Sequence, residues 1–313
     1  MKDLLLEILS STPDSVIKEA VLRVVRRGLY TGAESVTDLI RQELSDVVSS
    51  VVSEKPSGDF EIKFPLPGNE FRKASLYYKG SLIQEFVYIK PGTFMMGSPK
   101  GEVDQFNDET QHPVTLTRGY WLADSACTQA LWQAVMGANP SQFNDDPTLP
   151  VERVSWNEVQ TFLDRLNAQV PGLDAGLPSE AQWEYACRAG TTTPFSFGEN
   201  ITPEQVNYEG SHPYADGQKG LYRERTVPVK SLPPNPWGLY EMHGNVNEWC
   251  ADWYGDYPQG PQIDPSGPSE GAGRVLRGGS WGLNGQYCRA AYRDGGVLGY
   301  RSSVTGFRIM LSS

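Results

Sequence analysis

The chain has 313 residues with 27 Lys and Arg against 38 Asp and Glu, a formal net charge of -11. That balance argues against a nucleic-acid partner, which needs clustered cations to displace counterions, and a chain of this length buries enough surface to fold without disulfides. With no CxxC pair among Cys127, Cys187, Cys250 and Cys288, no long apolar run and no signal-like stretch at residues 1–6, the expectation is reduced thiols in a cytoplasmic protein with no membrane partner.

Residues 1–55 read as a helical module. Thr12 is an N-cap followed by Pro13 at the first helical position, and Ile17, Val21, Val24 and Val25 fall on one face. Leu39, Ile40, Leu44, Val47, Val48, Val51 and Val52 then repeat at helical spacing, and Arg23, Arg26 and Arg27 suit a solvated face. Such a module could join the chain to an effector or adaptor. Turn residues at 55–59 mark a boundary, and residues 56–84 read as a connecting β segment in which Phe60, Ile62 and Phe64 alternate with charges.

From Phe86 onward short strands mix with two helices. Ser155 with Glu158 predicts a capping box ahead of Val159, Phe162, Leu163 and Leu166, and Ser179 with Gln182 predicts a second ahead of Trp183, Ala186 and Cys187. Beyond Gly190 the punctuation by Gly and Pro predicts no helix, which makes the chain α+β, rich in loops and without internal repeats.

Residues 274–308 hold a stiff frame around a bland filling. The frame is Arg274-Val-Leu-Arg-Gly-Gly-Ser-Trp281, Cys288-Arg289-Ala290-Ala291, Arg293 and Gly306-Phe307-Arg308. The filling is Gly282, Leu283, Asn284, Tyr287, Tyr292, Asp294, Gly295, Gly296, Tyr300, Ser302, Ser303 and Val304. It carries no general base and no metal cluster. Its tyrosines offer contact area at low rotamer cost and its Ser, Asn and Gly offer adaptable hydrogen bonding, as in a paratope. Ordinary turn residues with half-buried tyrosines would read the same way.

Several ordered motifs resemble the formylglycine-generating-enzyme-like, or sulfatase-modifying-factor, domain. They are Gly-Thr-Phe-Met-Met-Gly at 92–97, Pro-Val-Glu-Arg-Val-Ser-Trp at 150–156, Leu-Pro-Ser-Glu-Ala-Gln-Trp-Glu-Tyr-Ala at 177–186, Gly-Leu-Tyr-Glu-Met-His-Gly-Asn-Val-Asn-Glu-Trp at 238–249, and Arg-Gly-Gly-Ser at 277–280. The resemblance covers residues 85–313 and implies a C-type-lectin-like fold, a scaffold shared by enzymes and pure binders.

The family's oxidases act on a peptide cysteine with a copper-binding cysteine pair just after Arg-Gly-Gly-Ser. Here the first of those positions is Leu283, and only Cys288 stands nearby. A lone thiolate does not supply the paired soft ligands that hold Cu(I). Iron-using relatives need clustered histidines, yet His112, His212 and His243 share no spacing, and the first two precede prolines and suit surface turns. An oxidoreductase working through Cys288 is therefore the alternative to a binder. The resemblance also implies a calcium site at Glu241, Gly244, Val246 and Glu248, where a turn packed by Trp249 would equally explain both carboxylates. A second family calcium site beginning at Asn207 and Tyr208 is not carried over, because no later ligand is recognisable near 221–223 and Ala126 stands where an acidic residue is expected.

Frame and filling together resemble the variable proteins of diversity-generating retroelements. Randomised AAC codons there become NNC codons, which cannot encode Lys, Glu, Gln, Met or Trp, and the filling contains none of these. The implied function is a non-enzymatic display of residues 282–304 within a variable region of about 274–313. Its ligand would be an unidentified protein or other macromolecule, with no cofactor required and calcium at most structural.

Overall fold

The computed structural model describes residues 59–65 and 73–312. The helices expected in residues 1–55 lie outside them. The chain divides into a unit at Met1–Ser57 and another at Gly58–Ser313, and everything below concerns the second.

Among the described residues, three sheets and three α-helices build this unit. The first sheet runs β1 (Phe60–Lys63), β2 (Lys73–Tyr78), β3 (Ser81–Ile89), β6 (Tyr120–Ala123), β13 (Met310–Ser312) and β7 (Ala175–Gly176). Alternation sets its faces: Ala74 and Leu76 of β2 point into the core, as do Gln84 and Phe86 of β3. Of the expected connector at 56–84, the described residues 59–65 and 73–84 belong to this unit, because β1 and β2 extend the sheet by an antiparallel register of Phe60 with Tyr78 and Ala74 with Phe86. β13 slots antiparallel between β6 and β7, so the last strand closes the sheet in its interior.

A second sheet orders β11 (Arg293–Gly296), β10 (Arg274–Arg277), β8 (Asn247–Trp253) and β12 (Thr305–Gly306). A third orders β4 (Gly92–Met96), β5 (His112–Leu116) and β9 (Gln262–Ile263). The resulting architecture is α+β with a C-type-lectin-like fold.

The two predicted helices form as α2 (Trp156–Gln169) and α3 (Glu180–Arg188), each with both hydrogen bonds of its capping box. A third, α1 (Gln129–Met136), escaped the sequence reading. Its N-cap is Thr128, whose hydroxyl accepts from Leu131 N at 3.2 Å, and it ends at Gly137 in the left-handed region. α1 and α2 close over the core through Trp132 stacked on Phe162 at 5.2 Å, with Phe307 edge-on to both. Trp183 of α3 lies in a second apolar cluster with Leu122, Cys187, Cys250 and Val275.

Candidate functional site

The C-terminal segment is held by four buried arginines, each paired with a carboxylate from elsewhere in the chain. Arg293 donates from Nε and Nη2 to the two oxygens of Glu180 at 2.8 and 2.7 Å. Arg289 reaches Glu109 through two nitrogens at 2.7 and 2.8 Å and Glu102 at 2.8 Å. Arg308 grips Glu248 at 2.7 and 2.8 Å. Arg277 pairs with Glu184 and donates to the carbonyls of Ala290, Ala291 and Tyr292. Burial alone would raise the Glu184 carboxyl, but Arg188 and Arg277 outweigh it and hold the group below the usual carboxylate range. Planar forks of this kind fix loop backbones in register.

The glycines of Arg-Gly-Gly-Ser permit the close approach. Gly279 has φ of 72°, and a Cβ there would lie 2.5 Å from Tyr287 O and 2.7 Å from Cys288 Sγ. From this turn a 3₁₀ segment, Gly285–Cys288, leads through Arg289 toward β11.

Between these anchors most of the filling reaches solvent. Tyr287 and Tyr292 contact each other at 5.0 Å between ring centroids, and Phe106 joins them at 6.1 and 5.5 Å. Asp294 is exposed beside them, its Oδ1 accepting from Gly295 N at 2.7 Å. A second group gathers Gly282, Ser303 and Val304 beside Trp281, and Leu283 follows with its carbonyl accepting from Glu209 N at 2.9 Å. A Cβ on Gly282 would meet Val304 at 3.4 Å, and Trp281 Nε1 donates to Ser303 O at 2.9 Å. Asn284 leads into the 3₁₀ turn that separates the two groups. Tyr300 is 41% exposed, and Ser302 O accepts from Arg153 N at 3.0 Å, near the start of α2.

Two glycines of the filling do not fit a displayed role. Gly296 is buried, and a Cβ there would fall 2.5 Å from the Trp249 ring. Gly295 is exposed, yet its Cβ would press on the Tyr254 ring at 2.9 Å. Both lie on β11, where close approach is the reason for glycine. Phe106, 38% exposed, stacked on Tyr287 and edge-on to Tyr292, was missed because it lies far upstream in a polar run with no pattern to mark it.

Cys288 is fully buried against Phe195, Tyr208 and Tyr214. Burial pushes its thiol up to about 12 despite a hydrogen bond from the Ser280 backbone. Leu283, at the partner position, has no ligand atom. The nearby histidine is His243, also buried: Nδ1 lies 2.7 Å from Cys288 O and Nε2 lies 3.0 Å from Ser196 N. A carbonyl only accepts and an amide only donates, so Nδ1 carries the proton and Nε2 is the acceptor. Cys187 Sγ approaches Nε2 at 3.6 Å, and burial raises its thiol as well. His112 does not sit at a surface turn. It opens β5, buried against Tyr257 at 4.8 Å, because the following proline is accommodated in the strand rather than in a bend. His212 is exposed and bonded to Glu209 at 2.8 Å.

The expected calcium set is only partly suited to a cation. Glu248 has both oxygens engaged by Arg308, and Trp183 Nε1 adds a bond at 2.7 Å, so a cation would have to displace that pair. Gly244 donates its N–H to Gly278 O, and Val246 is buried on the same turn. Glu241 alone keeps a buried oxygen without a partner, and burial pushes its carboxyl up to about 7. One free carboxylate oxygen, even with the backbone carbonyls of Gly244 and Val246, falls short of the six-to-eight-oxygen shell that Ca²⁺ takes. No group of three or more His, Cys, Asp or Glu is placed to hold a metal among the described residues, and no helix there is long and apolar enough to cross a membrane.

A family model described as the sulfatase-modifying factor enzyme 1-like domain matches residues 75–313. The formylglycine-generating enzyme of Streptomyces coelicolor is 36% identical over 189 residues, 57% of this chain and 57% of that enzyme, so the chain spans under two thirds of that relative's length. Among solved structures, Treponema denticola variable protein 1 superposes with a TM-score of 0.65 at 28% identity, covering 80% of this chain and 99% of that one. PvdO from Pseudomonas aeruginosa superposes at 0.64 with 27% identity, over 73% and 94% of the two chains.

Proposed function

Because the chain belongs to the sulfatase-modifying factor enzyme 1-like family, we propose that it uses that family's scaffold to bind rather than to oxidise, as the variable protein of a diversity-generating retroelement. The observation that carries this reading is the division of labour along residues 274–308. Arg277, Arg289, Arg293 and Arg308 are buried and paired, while Tyr287, Tyr292, Asp294, Tyr300 and Ser302 between them are exposed or half-exposed. Side chains on such a frame are free to change without moving the backbone. The likeness to Treponema denticola variable protein 1 supports the reading, as does the filling's restriction to NNC-encoded residues.

Tyr, Ser and Asn at the surface suit a macromolecular ligand contacted by rigid aromatic anchors and adaptable polar groups. A net charge of -11 does not favour nucleic acid as that ligand. Residues 1–55 would supply the link to an effector, and calcium, if bound, would have a structural role through Glu241. Sequencing the locus tests the proposal. A neighbouring reverse transcriptase is expected, with a near-copy of the DNA encoding about 274–313 that carries adenines at the variable codons. A locus with neither would overturn it.

The second reading keeps the family's oxidation of a peptide cysteine. The identity with the Streptomyces coelicolor enzyme and the presence of Cys288 favour it. Against it stand the absence of a thiol at Leu283 and a Cys288 thiol raised by burial.

A further inference from the structure

Between the start of α3, the end of β8 and the loop after β8 lies a cavity of about 310 Å³, within the size range of small-molecule pockets. Its polar groups differ in what they have left to offer. Glu180 is filled by Arg293 and by the Tyr257 hydroxyl at 3.0 Å. Arg293 spends its remaining nitrogen on Gly255 O at 2.7 Å. Gln262 donates to Gln259 O and Gly260 O. None of these has a side-chain donor left for a ligand.

Two buried acceptors remain. Asp252, 3% exposed, accepts from Glu180 N at 2.8 Å and from its own backbone, and has no other hydrogen-bond partner among the described residues. His112, 4% exposed, has Nδ1 2.9 Å from the Thr110 carbonyl, which makes Nδ1 the donor and leaves Nε2 an acceptor without a partner there. Neither Asp252 Oδ1 nor His112 Nε2 is among the sealed, unsatisfied atoms of the interior, and both residues line the cavity. Asp256 adds an exposed carboxylate at the mouth. Met96, Ala181 and the Tyr257 ring supply apolar wall, and the exposed Ser266 hydroxyl is the one uncommitted side-chain donor among the lining groups.

A lining rich in acceptors and poor in donors selects a ligand that donates, and its carboxylates select a positive one. We propose that this cavity binds a small organic cation, a protonated primary amine on an apolar body, whose N–H groups bond to Asp252 and to Nε2 of His112. Burial and the facing Glu180 push the Asp252 carboxyl up to about 7 in spite of Arg293, whose donors are spent on Glu180 and Gly255, and an ammonium beside Asp252 would draw it back toward the charged form. The site shares no displayed residue with the variable surface, and its occupancy is independent of the function proposed above.

Benzylamine is the probe, with benzoate and benzyl alcohol as comparators of similar size, titrated into the full chain by calorimetry or ligand-observed NMR. Saturable binding of benzylamine alone is expected. Asp252→Asn, whose amide oxygen can still accept from Glu180 N, should weaken it about tenfold, the scale of a charge-assisted hydrogen bond. Ser266→Trp on the exposed rim should block entry while leaving the melting temperature unchanged. Equal binding of benzoate or benzyl alcohol, no benzylamine binding up to about 10 mM, or undiminished binding in both variants would each overturn the proposal.

Discussion

Cys288 and His243 share a buried corner whose chemistry is set by desolvation. The Cys288 thiol, raised to about 12 and without a cation beside it, should react slowly with iodoacetamide at neutral pH in the native protein and quickly once unfolded. Cys288→Ser puts a hydroxyl into an apolar cluster and should cost about 1–3 kcal/mol of stability while leaving ligand binding intact. Rapid native labelling, or copper bound stoichiometrically through Cys288, would return the oxidase reading to first place.

His243 gives a pH signature. Burial depresses its imidazole to about 4, below an unfolded value near 6.5. Between those values the unfolded chain takes up a proton that the folded one refuses, so stability falls as pH drops from about 6.5 to about 4, by roughly 3 kcal/mol in total. Glu241 and Asp252, both raised to about 7, act with the opposite sign: their contribution is full at low pH and lost as pH rises through 7. The difference between wild type and His243→Gln isolates the histidine. Denaturant titrations should show the wild type losing ground to the variant as the pH is lowered, and parallel curves would refute the assignment.

At the scale of elements, what could be read from the sequence follows from how local each signal is. α2 and α3 were legible because a capping box and an apolar stripe lie within a dozen residues. α1 was not, since eight residues with Leu131, Trp132 and Val135 give too short a stripe and Thr128 has no acidic partner in the first turn. His112 was misjudged from its proline, because strand pairing with Met96 is a contact between distant segments. The frame arginines were recognisable as anchors, but their partners Glu102, Glu109, Glu180, Glu184 and Glu248 were not, for no local pattern links residues so far apart. The glycine pair at 295 and 296 looked like filling for the same reason: Tyr254 and Trp249 arrive from another strand and its following loop. Two substitutions test the element assignments. Ser155→Ala should lower stability by about 1 kcal/mol through loss of the α2 cap. Gly279→Ala should cost far more, because the residue has left-handed φ and the new methyl collides with Tyr287 O. Thermal melts that rank them in the reverse order would contradict the assigned roles.

Across the whole molecule, the frame and the displayed positions differ in what they contact rather than in where they fall in the chain. Frame arginines reach α3, β8 and the loop carrying Glu102 and Glu109 through buried ion pairs, and breaking one such pair typically costs about 3–5 kcal/mol. Displayed residues are anchored through their backbones while their side chains are exposed or half-exposed, and substitutions of exposed side chains fall within about 0.5 kcal/mol apiece. Tolerance to change should therefore alternate sharply within residues 274–308. Two libraries displayed on yeast and challenged with protease measure this directly. One randomises with NNC codons Gly282, Leu283, Asn284, Tyr287, Tyr292, Asp294, Tyr300, Ser302, Ser303 and Val304. The other randomises Arg277, Gly278, Gly279, Ser280, Cys288, Arg289, Ala290, Arg293, Phe307 and Arg308 in the same way. Most members of the first library should stay protease-resistant and most of the second should not. Equal resistance in the two, or collapse of the first, would show that the exposed segment is structural and would contradict a binding surface built for variation.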